Sequence, residues 1–245
     1  VRKTAILQQQ LREQGRHTLI ELTSGNVGME EQVIRHFLSM RVDGIVLIGS
    51  QLNEEEAVLR NAREQATPVV WVDPERANSP HCVRSDRPYA MRLILEHLHG
   101  LGHRRFAVLG IDPTDSNGAL KLEGLRRSAK RLKLDFDQAF DLYYEAGQRH
   151  HDYALGERLA EHCLAMKKRP SAAIMLNDRV AIGLMHRLDK EGWEFPRDFS
   201  LVGYDNLEIS GYSRPRLTSI DQRSETLMRK AADMLDTLLA GGKPA

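Results

Sequence analysis

Short apolar runs alternate with longer segments of helical periodicity along almost the whole chain. Each run is continuous and rich in Val, Ile and Leu, as is typical of parallel strands that are covered on both faces. The runs occupy residues 17–22, 44–49, 68–73, 106–110, 172–176 and 200–204, with a weaker candidate at 140–144. This alternation predicts an α/β fold in which parallel strands form one or two sheets joined by right-handed helical crossovers.

The segments between the apolar runs carry apolar residues on one helical face. Gly102 and Gly192 follow the predicted ends of two such helices, where a residue with positive φ is favoured. The apolar stripes comprise Met91, Ile94, Leu95 and Leu98; Ala181, Leu184, Met185 and Leu188; and Leu227, Ala231, Met234, Leu235 and Leu238. We expect these stripes to pack on the sheets.

Composition narrows the classes of function. The 245 residues suffice for one large domain or two of ordinary size. A net charge of +1, from 35 basic and 34 acidic residues, argues against non-specific binding of nucleic acid or anionic membrane by this chain. Cys82 and Cys163 lie far apart without metal-ligand spacing, which fits a reducing compartment. With no apolar stretch of bilayer length and a polar start unlike a secretory signal, we predict a cytoplasmic protein with no membrane partner.

Motifs for cofactor binding and covalent catalysis are absent from the sequence. There is no G-x-G-x-x-G, no Walker-type loop and no G-x-S-x-G elbow. The run HHD at 150–152, with His162 and Cys163, lacks zinc-ligand spacing, so we expect a polar loop-to-helix junction there. The basic segment 124–133 is expected to be the solvated face of a helix. We therefore predict no catalytic residue, no metal and no cofactor.

Polar residues follow the predicted strands at their carboxyl ends, where doubly wound sheets bind ligands. Asn and Asp at such positions also cap the next helix. We favour the cap role for Asp178 and expect Asn177 to be freer to meet a ligand. Asp205 precedes a loop, and its carboxylate is suited to accept two hydrogen bonds from vicinal hydroxyls. The residues at these ends are Ser50, Asp73, Asn177, Asp178 and Asp205.

Several segments of the chain, in their order and spacing, are similar to those of a known protein family. The segments are MRVDGIVLIGS, PVVWVD, HLHGLGHRRFAVLG, RPSAAIMLNDRVAIGLMHRLDKEG, FPRDFSLVGYDN and RPRLTSIDQ. Together they resemble the effector-binding core of lactose-repressor (LacI/GalR) family transcription regulators, over nearly the whole chain. The resemblance implies a core like that of type I periplasmic sugar-binding proteins, with two doubly wound parallel-sheet subdomains and a ligand cleft between them.

The resemblance also implies a domain organisation. The first subdomain would comprise residues 1–98 and 224–245, and the second residues 99–223. The family's DNA-binding headpiece, a first core strand before the first helix and a last strand would lie outside this sequence. The implied protein is a homodimeric regulator that binds a sugar or sugar derivative and binds operator DNA through that headpiece. An extracytoplasmic sugar-binding component of a transporter and a doubly wound enzyme remain as alternatives.

The family's ligand-contacting positions can be carried onto this chain. The matching residues are Asp86, Asn177, Asp205 and Gln222. Ser50, at a strand end, is the fifth member of the predicted ligand-binding set. The sixth member lies at the position of the family's cleft arginine. That residue is Lys121, which lacks the planar, two-pronged geometry of Arg and is suited to meet an anionic group. The family's aromatic platform has no direct counterpart, and His150, His151 and Tyr153 are the candidates to replace it.

Overall fold

The computed structural model describes residues 2–76, 79–147 and 151–243. In these ranges the helices are α1 (Arg2–Glu13), α2 (Val27–Ser39), α3 (Ala57–Glu64), α4 (Arg87–Gly100), α5 (Ser116–Arg131), α6 (Phe136–Ala139), α7 (Tyr153–Ala165), α8 (Asp178–Asp189) and α9 (Ser224–Leu239), with a 3-10 helix at Glu208–Gly211. The strands are β1 (Ile45–Ile48), β2 (Val69–Val72), β3 (Cys82–Val83), β4 (Phe106–Leu109), β5 (Phe140–Tyr143), β6 (Ala172–Met175), β7 (Ser200–Tyr204) and β8 (Thr218–Ile220).

The chain divides into two compact units. Unit 1 comprises Val1–Ser85 and Arg223–Ala245, and unit 2 comprises Asp86–Gln222. The first boundary expected from the resemblance lay between residues 98 and 99, whereas the structure divides the chain before α4. The reason is packing: the apolar stripe of α4, which includes Met91 and Leu95, belongs to the same buried cluster as β4 and β6.

Unit 1 is a small parallel sheet covered on both faces. Its strands run in the order β1-β2-β3. Val70 and Val72 of β2 pack with residues of α1 and α9 on one face, while Trp71 packs with residues of α2 and α3 on the other. The outer edge of β1 has no strand partner in the described ranges, so unit 1 carries an open sheet edge.

Unit 2 is a five-stranded parallel sheet in the order β5-β4-β6-β7-β8. The central strands β4 and β6 are buried at every position. The predicted apolar stripes of α4 and α8 are buried as well. They comprise Met91, Ile94, Leu95 and Leu98 in α4, and Ala181, Leu184, Met185 and Leu188 in α8. The α/β class with doubly wound parallel sheets is therefore confirmed.

Most strand predictions are confirmed, and one is wrong. Strands β1, β2, β4, β5, β6 and β7 lie within the predicted runs at 44–49, 68–73, 106–110, 140–144, 172–176 and 200–204. The run at 17–22 forms no strand, and Leu19 and Leu22 within it are 54% and 59% exposed. An apolar run becomes a strand only where a neighbouring strand supplies hydrogen bonds, and no described strand pairs with this segment.

Helices α7 and α8 touch backbone to backbone near their first turns. A Cβ atom on Gly183 would lie 2.0 Å from the carbonyl oxygen of Tyr153, and one on Gly156 would lie 2.1 Å from that of Val180. Only glycine permits this approach. The close packing places the amino ends of both helices together at the carboxyl edge of the unit 2 sheet.

We expect Gly183→Ala to lower the free energy of unfolding by about 1–3 kcal/mol, because the added methyl group meets backbone that cannot move aside. Urea unfolding monitored by circular dichroism measures this change. Gly100→Ala is the matched control, since no atom lies within 4 Å of its Cβ position and its φ is not positive. Equal effects of the two substitutions would contradict the packing described.

The buried carboxylate of Asp178 joins the start of α8 to the segments after β7. It accepts hydrogen bonds from Leu207 N at 2.7 Å, Ser210 Oγ at 2.6 Å and Ser219 Oγ at 2.5 Å. Gly203 makes room for it, because a Cβ there would lie 2.2 Å from Asp178 Oδ1. This carboxylate therefore fixes the loop after β7, and with it the residues at the carboxyl end of that strand.

Asp178→Asn is expected to lower the free energy of unfolding by about 1.5–3 kcal/mol. The amide NH2 group would replace one of the two oxygens that accept the three hydrogen bonds, and it cannot accept any of them. The control is Asp189→Asn at the exposed last residue of α8. Urea unfolding of both variants at pH 7 checks the prediction. An Asp178 variant as stable as the Asp189 variant would show that the carboxylate does not hold the loop.

Candidate functional site

The predicted polar residues of unit 2 share one edge of its sheet. Strands β4, β6, β7 and β8 are parallel neighbours, so their carboxyl ends meet at the same edge. Asn177 follows β6, Asp205 follows β7 and Gln222 lies just beyond β8. Lys121 lies in α5, the helix that leaves β4 at this edge. The structure therefore brings four of the six predicted ligand residues to one place.

Asp205 is held in a defined orientation by neighbours on β8 and just beyond it. Its Oδ1 accepts a hydrogen bond from Gln222 Nε2, and its backbone N donates to Ile220 O at 3.0 Å. Its φ of +113° is a conformation that a residue other than glycine rarely adopts. Such backbone strain persists only where the surrounding structure enforces it, and here the pairing of β7 with β8 does so.

Lys121 is a buried ammonium group at the same edge. Its Nζ donates to Leu176 O at 2.7 Å and lies 3.9 Å from the centroid of the Tyr204 ring. Burial lowers the pKa of Lys121 to about 8, while the nearby Asp205 carboxylate acts in the opposite direction. The side chain is only 6% exposed and still carries a positive charge at neutral pH.

The cap of α8 that was expected at Asp178 is formed by Asn177 instead. Asn177 caps α8, since its Oδ1 accepts from Val180 N at 2.9 Å, and its Nδ2 donates to His151 O at 3.1 Å. Asp178, expected to be the cap, is the first residue of the helix and binds the loop after β7. The prediction was wrong because the helix begins one residue earlier than the sequence pattern indicated.

The other two predicted residues are engaged in local structure. Asp86 caps α4, with its Oδ1 accepting from Tyr89 N at 2.9 Å. Ser50 lies in unit 1, where its Oγ accepts from Leu52 N at 3.1 Å. It also bonds to Glu30, whose pKa is raised by burial against the opposing effect of that hydrogen bond. Ligand contact by Asp86 and by Ser50 remains a prediction.

Sequence reasoning missed two residues of this edge. Tyr204, the last residue of β7, lies under the Lys121 ammonium group. Asn117 lies one helical turn before Lys121, and its Oδ1 is buried with no hydrogen-bond partner in the described part of the chain. The spacing of four residues between Asn117 and Lys121 was the sequence signal that both side chains share a helix face.

The expected replacements for an aromatic platform are only partly described. His150 lies outside the described residues, the carbonyl of His151 binds Asn177, and Tyr153 begins α7 with 43% of its surface exposed. Across ranges 2–76, 79–147 and 151–243, no three His, Cys, Asp or Glu side chains lie close enough to hold a metal ion. No helix in those ranges is long and apolar enough to cross a bilayer.

Comparison with known proteins gives a family match. A family model for the periplasmic binding protein-like domain matches residues 95–245. The HTH-type transcriptional repressor PurR of Vibrio cholerae is 30% identical over 222 residues, covering 89% of this chain and 64% of that protein. The HTH-type transcriptional regulator GntR of Pseudomonas aeruginosa is 28% identical over 232 residues, covering 94% of this chain and 66% of that protein. The chain thus spans about two thirds of the length of these relatives.

Solved structures share the fold. The transcription regulator GntR of Chromobacterium violaceum has a TM-score of 0.84 at 25% identity, covering 99% of this chain and 87% of that one. CcpA of Lactococcus lactis has a TM-score of 0.83 at 24% identity, covering 98% and 86%. A dimeric Lac repressor has a TM-score of 0.82 at 23% identity, covering 99% and 86%. The chain belongs to the periplasmic binding protein-like domain family.

Proposed function

We propose that this chain is the effector-binding and dimerising core of a transcription regulator, and that a small hydroxylated ligand binds at the carboxyl edge of unit 2. The observation that carries the proposal is the placement of Asp205. Its carboxylate stands at a strand end and is oriented by Gln222 beside the buried charge of Lys121. Such a group serves recognition of a polar ligand and needs no covalent chemistry.

The polar groups of this edge match the surface of a sugar or sugar derivative. A carboxylate can accept several hydrogen bonds, and the one on Asp205 stands at the strand end, oriented by Gln222. Hydrogen bonds from ligand hydroxyls to such a charged acceptor are about twice as strong as neutral ones. Asn177 keeps a second amide N–H after its bond to His151 O, so it supplies a donor to the same ligand.

Regulation requires that the ligand bind one conformation of the protein better than another. A coupling free energy of about 1–3 kcal/mol is typical of such systems. We propose that units 1 and 2 are the two subdomains that change arrangement on binding. The protein acts as a homodimer in the cytoplasm and binds operator DNA through a headpiece outside this sequence. The names of the HTH-type relatives PurR and GntR and of the dimeric Lac repressor support this proposal.

A sugar-binding component of a transporter is the less favoured function for a chain with this fold. The relatives reported above are named as transcription regulators. We therefore place the ligand in the role of an effector that is bound and released unchanged.

We expect Asp205→Asn to weaken ligand binding by about ten- to a hundredfold, because hydrogen bonds to a charged acceptor become neutral ones. Asn is chosen because it tolerates positive φ better than Ala. The ligand is first selected by thermal shift of the parent chain with neutral and acidic sugars, including the ribose bound to a LacI-family regulator of Enterococcus faecium. Isothermal titration calorimetry then compares the parent, Asp205→Asn and the control Asp189→Asn. Unchanged affinity in Asp205→Asn with a control that also binds normally would refute the assignment.

A further inference from the structure

We propose that the ligand carries an anionic group, a carboxylate or a phosphate, next to its hydroxyls, and that Lys121 binds this group. The inference rests on the function proposed above and names the ligand class of the same site. The fold alone does not specify the charge of the ligand. The contacts of the buried Lys121 ammonium group do, and they are described below.

The ammonium group of Lys121 has more donors than the protein satisfies. An ammonium carries three N–H donors and no acceptor. One bonds to Leu176 O at 2.7 Å, and the Tyr204 ring covers another side of the group at 3.9 Å. Within the part of the chain that the structure describes, no other acceptor lies within hydrogen-bond distance of Nζ. An acceptor supplied by the ligand would complete the coordination of this group.

Burial makes that incomplete pairing costly. A buried charge is stable only when it is paired and hydrogen-bonded. The charged groups that act on Lys121 are Asp205 and Asp115, which favour its cationic form, and Arg87, which opposes it. Among the described residues, neither of these carboxylates forms a hydrogen bond with Nζ, so an anionic group of the ligand would be its first directly bonded charge partner.

The preceding turn of α5 offers the complementary group. Asn117 Oδ1 is an acceptor that is buried and unpaired among the described residues. Leaving such an atom without a donor is unfavourable, so its presence indicates a donor that arrives with the ligand. Asn117 and Lys121 lie on the same face of one helix. An acceptor beside a cation matches a hydroxyl beside an acid group, as in sugar acids and sugar phosphates.

The side-chain type agrees with this class of ligand. Lys binds carboxylate and phosphate as a compact point charge, whereas Arg binds them through the paired contacts of its planar fork. Asp205 remains the acceptor for the hydroxyl part of the ligand. The two charged groups thus divide the ligand between them, with its hydroxyls at Asp205 and its anionic group at Lys121.

The test uses pairs of compounds that differ in one charged group. D-Gluconate and D-glucitol form one pair, and D-ribose 5-phosphate and D-ribose form the other. Calorimetric titration of the parent chain at pH 7 is expected to show at least about tenfold tighter binding for the anionic member of one pair, as one added charge-assisted contact provides. Preference within the first pair identifies a carboxylate ligand, and preference within the second identifies a phosphate.

Two variants remove the charge of Lys121 in different ways. Lys121→Met keeps the length and volume of the side chain, and Lys121→Gln retains a donor for Leu176 O. Both are expected to bind the anionic and neutral members of a pair equally, while their far-ultraviolet circular dichroism matches the parent. Met is expected to fold because replacement of a buried charge by an apolar side chain is often neutral or stabilising.

Proton linkage gives a second readout that a purely structural lysine would not show. Near pH 8 an approaching anion raises the pKa of Lys121, so binding takes up protons from the buffer. Titrations in two buffers of different ionisation enthalpy measure this uptake, and Lys121→Met is expected to abolish it. A neutral ligand would produce no uptake through this group.

The outcomes separate this inference from the proposed function. Equal binding of both members of each pair, binding of neutral sugars alone, or an anionic preference that persists in Lys121→Met overturns the anionic assignment and leaves the effector role intact. Loss of folding in both variants assigns Lys121 to structure and also overturns it. A parent chain that binds none of the four compounds and no sugar of the wider panel contradicts the proposed function itself.

Discussion

The hydrogen bonds to the buried carboxylate of Asp178 are the constraint on which the candidate site depends. Two donors from the loop after β7 and one from β8 converge on it, and Gly203 allows it to lie against the sheet. A charged group without water must be fully hydrogen-bonded, so these segments have little freedom to rearrange. The loop that follows Asp205 is consequently part of the rigid framework of unit 2.

That framework explains how a strained residue is maintained at the site. Asp205 has a positive φ and bonds to Gln222 and Ile220, both on the neighbouring strand segment. The glycine contacts between α7 and α8 add to the same framework, because they hold the helix that begins at Asp178 close to the sheet edge. The strain is local, whereas the interactions that sustain it are spread over several elements.

The electrostatics of the site suit binding more than chemistry. Lys121 and Asp205 carry opposite charges. Lys121 Nζ donates to a backbone carbonyl, and Asp205 Oδ1 accepts from a neutral amide, so both charged groups are held in defined orientations. Water is displaced from Lys121 by burial and by the Tyr204 ring, which strengthens its interaction with any charge that enters the site.

The sequence by itself determined the α/β class, six of the strands, the apolar faces of the helices and the placement of Asp205 at a strand end. These features follow from local periodicity and from which residues precede a turn, and both are properties of short segments. Tertiary structure alone decided the remainder. The run at 17–22 has strand composition but pairs with no described strand. Helix α4 belongs to unit 2 because its apolar stripe shares a buried cluster with β4 and β6. A one-residue difference in the start of α8 made Asn177 the cap in place of Asp178, since helix ends depend on which hydrogen bonds form in three dimensions. The contact of Lys121 with Tyr204 and Leu176 joins residues distant in sequence, and no local pattern specifies which distant groups will meet.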